Sequence, residues 1–157
     1  MQCLIAGKPI INVEYFESWT EKLESDPSAP LPTIANHIPQ IDPQLAHIDK
    51  MLFLPRPKRS NMFQGMVFIF PTHEQYESMF QAVASAGGVA VKTYDNEEAI
   101  LVEDSGSNPS KDYMLMFNLQ KQKGRRVIPL KEIGLAVLHC STERYCNQTF
   151  NLEQTLF

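Results

Sequence analysis

The sequence predicts an α/β fold built around a parallel β-sheet, and three observations carry that expectation. Met66–Phe70 is an unbroken apolar run. Thr72 and Gln75 open an amphipathic helical stripe. Gly87–Gly88 closes that stripe just before a second apolar run at Val89–Val91. A strand with one wet face alternates polar and apolar residues, so a continuous run with Phe68 at its centre belongs where both faces are covered. Pro71 stops it, because proline donates nothing to a sheet ladder. Thr72 and Gln75 have the spacing of a capping box. Tyr76, Met79, Phe80, Val83 and Ala84 then share one helical face. Gly87–Gly88 suits the left-handed end of that helix. Strand, helix and strand within about 30 residues make a βαβ crossover. Burying the stripe contributes roughly 2 kcal/mol per large side chain before conformational entropy is subtracted.

The chain has 157 residues, 43% of them hydrophobic, which suits one core with extensions. Its net charge of −4 gives no general bias toward nucleic acid. No apolar run is long enough to span a membrane, and the N-terminal residues lack the pattern of a signal peptide. Cys3, Cys140 and Cys146 are an odd number without metal spacing, which favours reduced thiols inside the cell.

Residues 1–25 read as the end of a preceding domain. Ile10–Ile11 suits a short strand, and Val13, Phe16, Thr20 and Leu23 form a helical stripe with Trp19 beside it. So short an amphipathic helix needs a partner surface. Without one, residues 1–25 are expected to be mobile or to pack non-natively. Residues 26–60 hold seven of the eleven prolines and read as an extended linker. Its Ile34, Ile38, Ile41, Leu45 and Met51–Leu54 are apolar enough to lie partly along a domain surface. Arg56–Arg59 is a short basic cluster, suited to nuclear import or phosphate contact, with a solvated linker end the favoured reading.

After the central unit, Asp95–Glu98 forms an acidic turn and Ala99–Val102 a third strand. The short connection from Val91 points locally to an antiparallel hairpin. Ser110 caps a second helix over about 111–121, with Tyr113, Met116 and Phe117 on its stripe and Leu115 and Leu119 widening it. Val127–Ile128 suits an edge strand. Pro129 fits the first turn of a helix to about Ser141, buried nearly all round through Leu130, Ile133, Leu135, Val137 and Leu138. A strand over Leu135–Leu138 is the competing reading. Residues 147–157 show no period and read as a disordered tail.

The element order β-α-β-β-α-β-α, with Gly87–Gly88 between the first helix and second strand, resembles a BRCT repeat. The closing block is more specific. Ile128–Pro129, then Glu132-Ile133-Gly134-Leu135-Ala136-Val137, then Tyr145–Cys146 resembles the end of a second BRCT repeat in an adaptor that senses DNA double-strand breaks. Gly7–Ile11 and Glu14–Phe16 resemble the last strand and helix of the preceding repeat. Phe63–Phe70 and Asn96–Glu98 fit the second. The resemblance therefore implies a first-repeat remnant at 1–25, a linker at 26–60 and a second repeat at 61–146. It implies a three-layer α/β/α sandwich with a four-stranded, mainly parallel sheet, the first and third helices on one face and the second on the other. This parallel arrangement competes with the hairpin reading. The tryptophan usual in BRCT repeats is missing; the only one is Trp19.

No catalytic constellation or cofactor motif stands out, so the chain reads as a non-enzyme without cofactors. His37, His47, His73 and His139 are too scattered to bind zinc. Gly87, Gly88, Phe68, Phe80, Ile133 and Val137 are expected to be structural. The resemblance implies that paired repeats capture phosphoserine or phosphothreonine mainly through the first repeat, and that the second completes the groove. Thr72 occupies the analogous strand–helix corner, although its role as helix cap is favoured. Lys121, Lys123, Arg125 and Arg126 form a basic cluster able to meet a phosphate or acidic partner, with a helix-dipole partner and solvated turn the favoured reading. A Lys123→Glu, Arg126→Glu double change is accordingly expected to leave folding intact. By resemblance the parent protein acts in the nucleus. It joins a nuclease and an ATPase to phosphorylated chromatin or repair proteins and to a checkpoint kinase. The alternative is a DNA-end or nucleic-acid binding BRCT module. A hydrolase with an unfamiliar site is a remote third reading.

Overall fold

The computed structural model of the chain describes residues 1–40, 43 and 48–149. Ile41, Leu45 and His47 of the linker, and residues 150–157 of the expected tail, lie outside the described residues. Two helices come first, α1 (Gln2–Ile5) and α2 (Glu14–Ser25). Short 3-10 turns follow at Ile34–His37, Lys50–Phe53 and Pro57–Asn61. Then come β1 (Val67–Ile69), α3 (His73–Ser85), β2 (Val89–Val91), β3 (Ile100–Leu101), α4 (Lys111–Gln122) and α5 (Lys131–His139).

The sheet runs β2-β1-β3, and both pairings are parallel. Phe68 lies opposite Ala90 on one side and Ile100 on the other. The hairpin reading of residues 89–103 is therefore corrected: β3 crosses to the far side of β1. Phe68, Ile69 and Phe70 are each fully buried and alternate between two apolar layers. Phe68 and Phe70 meet residues of α1, α3 and α5, while Ile69 meets Tyr113 and Met116 of α4. Ile100, Leu101 and Val102 repeat the same alternation. A run apolar on both faces is stable only between two covering layers, which is why β3 takes an interior place.

Four strands were expected and three form. The fourth is reduced to a single parallel bridge between Val102 and Ile128. Ile128 N–H donates to the Leu101 carbonyl at 3.0 Å, and its carbonyl accepts from Glu103 N–H at 2.8 Å. Pro129 follows at once and offers no N–H, so the ladder ends there. Residues 131–139 form a helix, which settles the helix-or-strand ambiguity.

Several helix faces are rotated from expectation. In α3 the buried residues are Gln75, Ala82 and Val83, followed by Ala86, whereas Ala84 is exposed. Phe80 stays half-buried, stacked on Tyr76 with ring centroids 5.3 Å apart. In α2 the buried residue is Tyr15, set edge-on to His37, while Val13 and Phe16 face outward. No strand forms at Ile10–Ile11. Leu4 and Ile5 of α1 are buried in the main core, where α1 packs on α3 and α5.

The linker end is not a solvated basic cluster, because Arg59 is fully buried. Its guanidinium donates to four backbone carbonyls. Nε reaches Val137 O at 2.8 Å, Nη1 reaches Leu54 O at 2.8 Å, and Nη2 reaches Leu138 O at 3.0 Å as well as Leu52 O. Val137 and Leu138 lie in the last turn of α5, at the negative end of the helix dipole, and Val137 O also accepts from Cys140 N–H at 3.2 Å. Burial pushes the Arg59 pKa down, with the neighbouring Cys140 side chain acting the other way.

The two adjacent glycines do different work. Gly87 adopts φ +84°, the left-handed conformation that ends α3. Gly88 is needed for space: a Cβ there would lie 2.9 Å from Phe63 Cβ and 2.9 Å from Val83 Cγ1.

Two outcomes follow for stability. Arg59→Ala should cost about 3 kcal/mol in urea unfolding, and Arg59→Lys should recover less than half, since an ammonium cannot span the forked set of carbonyls. Gly88→Ala should cost about 2 kcal/mol, and combining it with Val83→Ala should be less than additive, because one of the two colliding groups is gone while Phe63 Cβ remains.

Candidate functional site

Thr72 sits at the strand–helix corner, and its side chain is committed to the helix. Its Oγ1 accepts from Gln75 N–H at 3.2 Å and donates to Gln75 Oε1 at 3.1 Å. A hydroxyl has one proton to give, and this one is already directed. Gln75 departs from the usual capping box: its Nε2 crosses to the Glu103 carbonyl at 2.8 Å, tying α3 to the end of β3. Ser110 caps α4 in the same way, accepting from Tyr113 N–H at 3.1 Å.

The basic cluster after α4 divides into two paired sets. Lys123 Nζ lies 3.0 Å from both Glu97 Oε2 and Glu98 Oε1. Arg125 pairs with Glu98 and donates to the Glu97 carbonyl at 3.2 Å. These contacts hold the Glu98 carboxyl below its ordinary pKa, Arg125 being the larger cause, and raise that of Lys123. Arg126 turns the other way, into a bidentate pair with Glu132 at 2.6 and 2.7 Å. Lys121 is exposed in the last turn of α4 and forms no ion pair among the described residues. Sequence reasoning saw the acidic turn and the basic cluster but did not join them. Their opposite charge was the available signal.

Glu132 is 6% exposed, and one of its oxygens also accepts from Cys146 N–H at 3.0 Å. Arg126 further donates to the Asn147 carbonyl at 2.9 Å, and its own N–H to the Gln148 carbonyl at 2.9 Å. Gln148 Nε2 reaches Ala99 O at 3.0 Å. Residues 146–148 are thus held to the body by this ion pair. Burial, with Glu132 nearby, pushes the Cys146 thiol up to about 12, so it stays protonated at neutral pH.

The described histidines are separate. His73 is exposed beside Glu77, His37 meets Tyr15, and His139 stacks on Tyr145 at 5.1 Å. Among the described residues, no three His, Cys, Asp or Glu side chains gather as a metal site. Phe68, Ile133 and Val137 are fully buried. α1, α3 and α5 form one helical layer over the sheet.

A family model described as the second BRCT domain on Nijmegen syndrome breakage protein matches residues 57–111 and 97–148. Nibrin of Mus musculus is 33% identical over 162 residues, covering 92% of this chain and 21% of the relative. Nibrin of Gallus gallus is 30% identical over 161 residues, with the same coverage. Nibrin of Danio rerio is 29% identical over 169 residues, covering 96% and 20%. The chain spans about a fifth of the length of these curated relatives.

The ion-pair geometry corrects the expectation for the double charge reversal. Arg126→Glu would set two carboxylates together in a buried site, and should lower stability by about 3 kcal/mol in chemical denaturation. Lys123→Glu, at the solvent-screened pair, should move the denaturation midpoint far less than Arg126→Glu does.

Proposed function

The chain belongs to the family of second BRCT domains of nibrin, and from that membership we propose that it is a non-catalytic interaction module of a double-strand-break adaptor. In this reading residues 1–25 are the end of the first repeat, 26–60 the linker and 61–146 the second repeat. The module completes the phosphoprotein-binding groove of the pair and orients the parts upstream. The parent protein acts in the nucleus, joining a nuclease and an ATPase to phosphorylated chromatin or repair proteins and to a checkpoint kinase.

One observation carries the reading. α1, the first described element, is seated on α3 and α5, with Leu4 and Ile5 buried in the core of the repeat. That seat is compatible with a preceding repeat lying against the same helical face and sharing a groove with it. Electrostatics favour this reading over nucleic-acid binding. Lys123, Arg125 and Arg126 are each engaged by carboxylates, leaving little net charge to displace counterions from a phosphate backbone.

Phosphoserine and phosphothreonine peptides, with unphosphorylated twins, should be titrated into the complete two-repeat protein and into residues 1–157. The two-repeat protein should bind the phosphorylated forms at least about tenfold more tightly. A Leu4→Glu, Ile5→Glu change in it should reduce that preference. Equal affinity for both forms would overturn the phosphoprotein role, and strong salt-sensitive DNA binding by residues 1–157 would favour the nucleic-acid alternative.

A further inference from the structure

α4 covers the sheet face opposite α1, α3 and α5, and a cleft of about 620 Å³ opens between it and the segment after β2. Its apolar lining comes from Tyr94, Met116, Leu119 and Leu115. Met116 is 4% exposed and belongs to the core, whereas Leu115 is 70% exposed. Leu115 was expected to widen the packed stripe of α4, yet it stands at the cleft with no burial of its own. An open recess that sets an exposed leucine beside packed apolar side chains offers a seat for one apolar side chain of a partner.

Carboxylates outnumber cations around the recess, with Asp95, Glu97 and Asp112 against Lys92. Lys92, which also lines the cleft, carries its ammonium 5.1 Å from the centroid of the Tyr76 ring. The Glu97 carboxylate is engaged by Lys123. Asp95 takes a hydroxyl hydrogen bond from Thr93 at 2.9 Å, and Asp112 lies in the first turn of α4. Neither aspartate has a cationic partner among the described residues. We propose that this cleft is a second docking site, taking a peptide segment of a protein partner in which an apolar side chain is flanked by lysine or arginine. The apolar residue packs between Leu115, Leu119 and Tyr94, and the flanking cations meet Asp95 and Asp112. Complementary charge selects such a segment over an acidic one. This site lies across the sheet from the face read as the inter-repeat groove, so the two are occupied independently.

The test uses residues 1–157, isotope-labelled for amide NMR, with a fluorescein-labelled octapeptide of alternating lysine and leucine as probe. Octapeptides of glutamate and leucine, and of lysine and serine, are the comparators. The lysine–leucine peptide should bind saturably and shift amides within 92–97 and 111–119. Leu115→Ser and an Asp95→Asn, Asp112→Asn pair should each weaken it about tenfold while leaving the melting temperature unchanged. Absence of saturable binding, shifts confined to other surfaces, equal binding of the glutamate–leucine peptide, or unchanged affinity in both variants would overturn the proposal. So would concentration-dependent self-association that Leu115→Ser abolishes, since the cleft would then receive a second copy of the chain.

Discussion

A single buried cation joins the segment before β1 to α5. Arg59 has no carboxylate against it among the described residues; its charge is met by four carbonyl dipoles. Desolvating a guanidinium is costly, and backbone oxygens offset that cost only when several converge with good geometry. Two come from α5, where the negative end of the helix dipole already favours positive charge. Two come from the turn around Leu52–Leu54, whose carbonyls would otherwise have to be solvated at the domain surface. One side chain thus serves backbone acceptors on two elements that are remote in sequence.

The pairing of Arg126 with Glu132 complements this arrangement at the other end of α5. Glu132 lies in the first turn of the helix, where a carboxylate is favoured by the dipole. It accepts from Arg126 and from the backbone of Cys146, so the chain that leaves α5 is brought back beside its start. A buried ion pair of this kind adds little net stability, and its clearer contribution is to fix which backbone lies where. The basic residues visible in the sequence therefore serve mainly to position chain, and the surface that remains is shaped more by apolar relief than by excess charge.

How much was legible follows from what each element depends on. The strand at 66–70 and its helix were readable because apolar runs, a cap and a glycine stop are local signals. The side of β1 taken by β3 was not, because an eight-residue connector from 92 to 99 permits either a hairpin or a crossing, and only burial of both faces decides it. The fourth strand was overcounted because Pro129 acts on a ladder only two residues long. Arg59 was hidden because its partners are carbonyls, which carry no residue identity, and two of them lie 78 and 79 residues away. The uncovered Leu115 and the exposed Ala84 were misplaced by a small rotation of their helices, which periodicity alone does not fix. For the site residues, Thr72 was readable as a cap from its own neighbours, whereas the pairing of the basic cluster needed the fold.

The seat of α1 beside the Arg59 clamp has a mechanical consequence. α5 is gripped at two places by the chain that precedes the repeat: along its flank by α1 and at its end by Arg59. A hinge held by one pin swings; held by two, it does not. The chain between Ile5 and Arg59 therefore starts and ends at points fixed to the same helix, so whatever path it takes, its two ends cannot move apart without breaking contacts to α5.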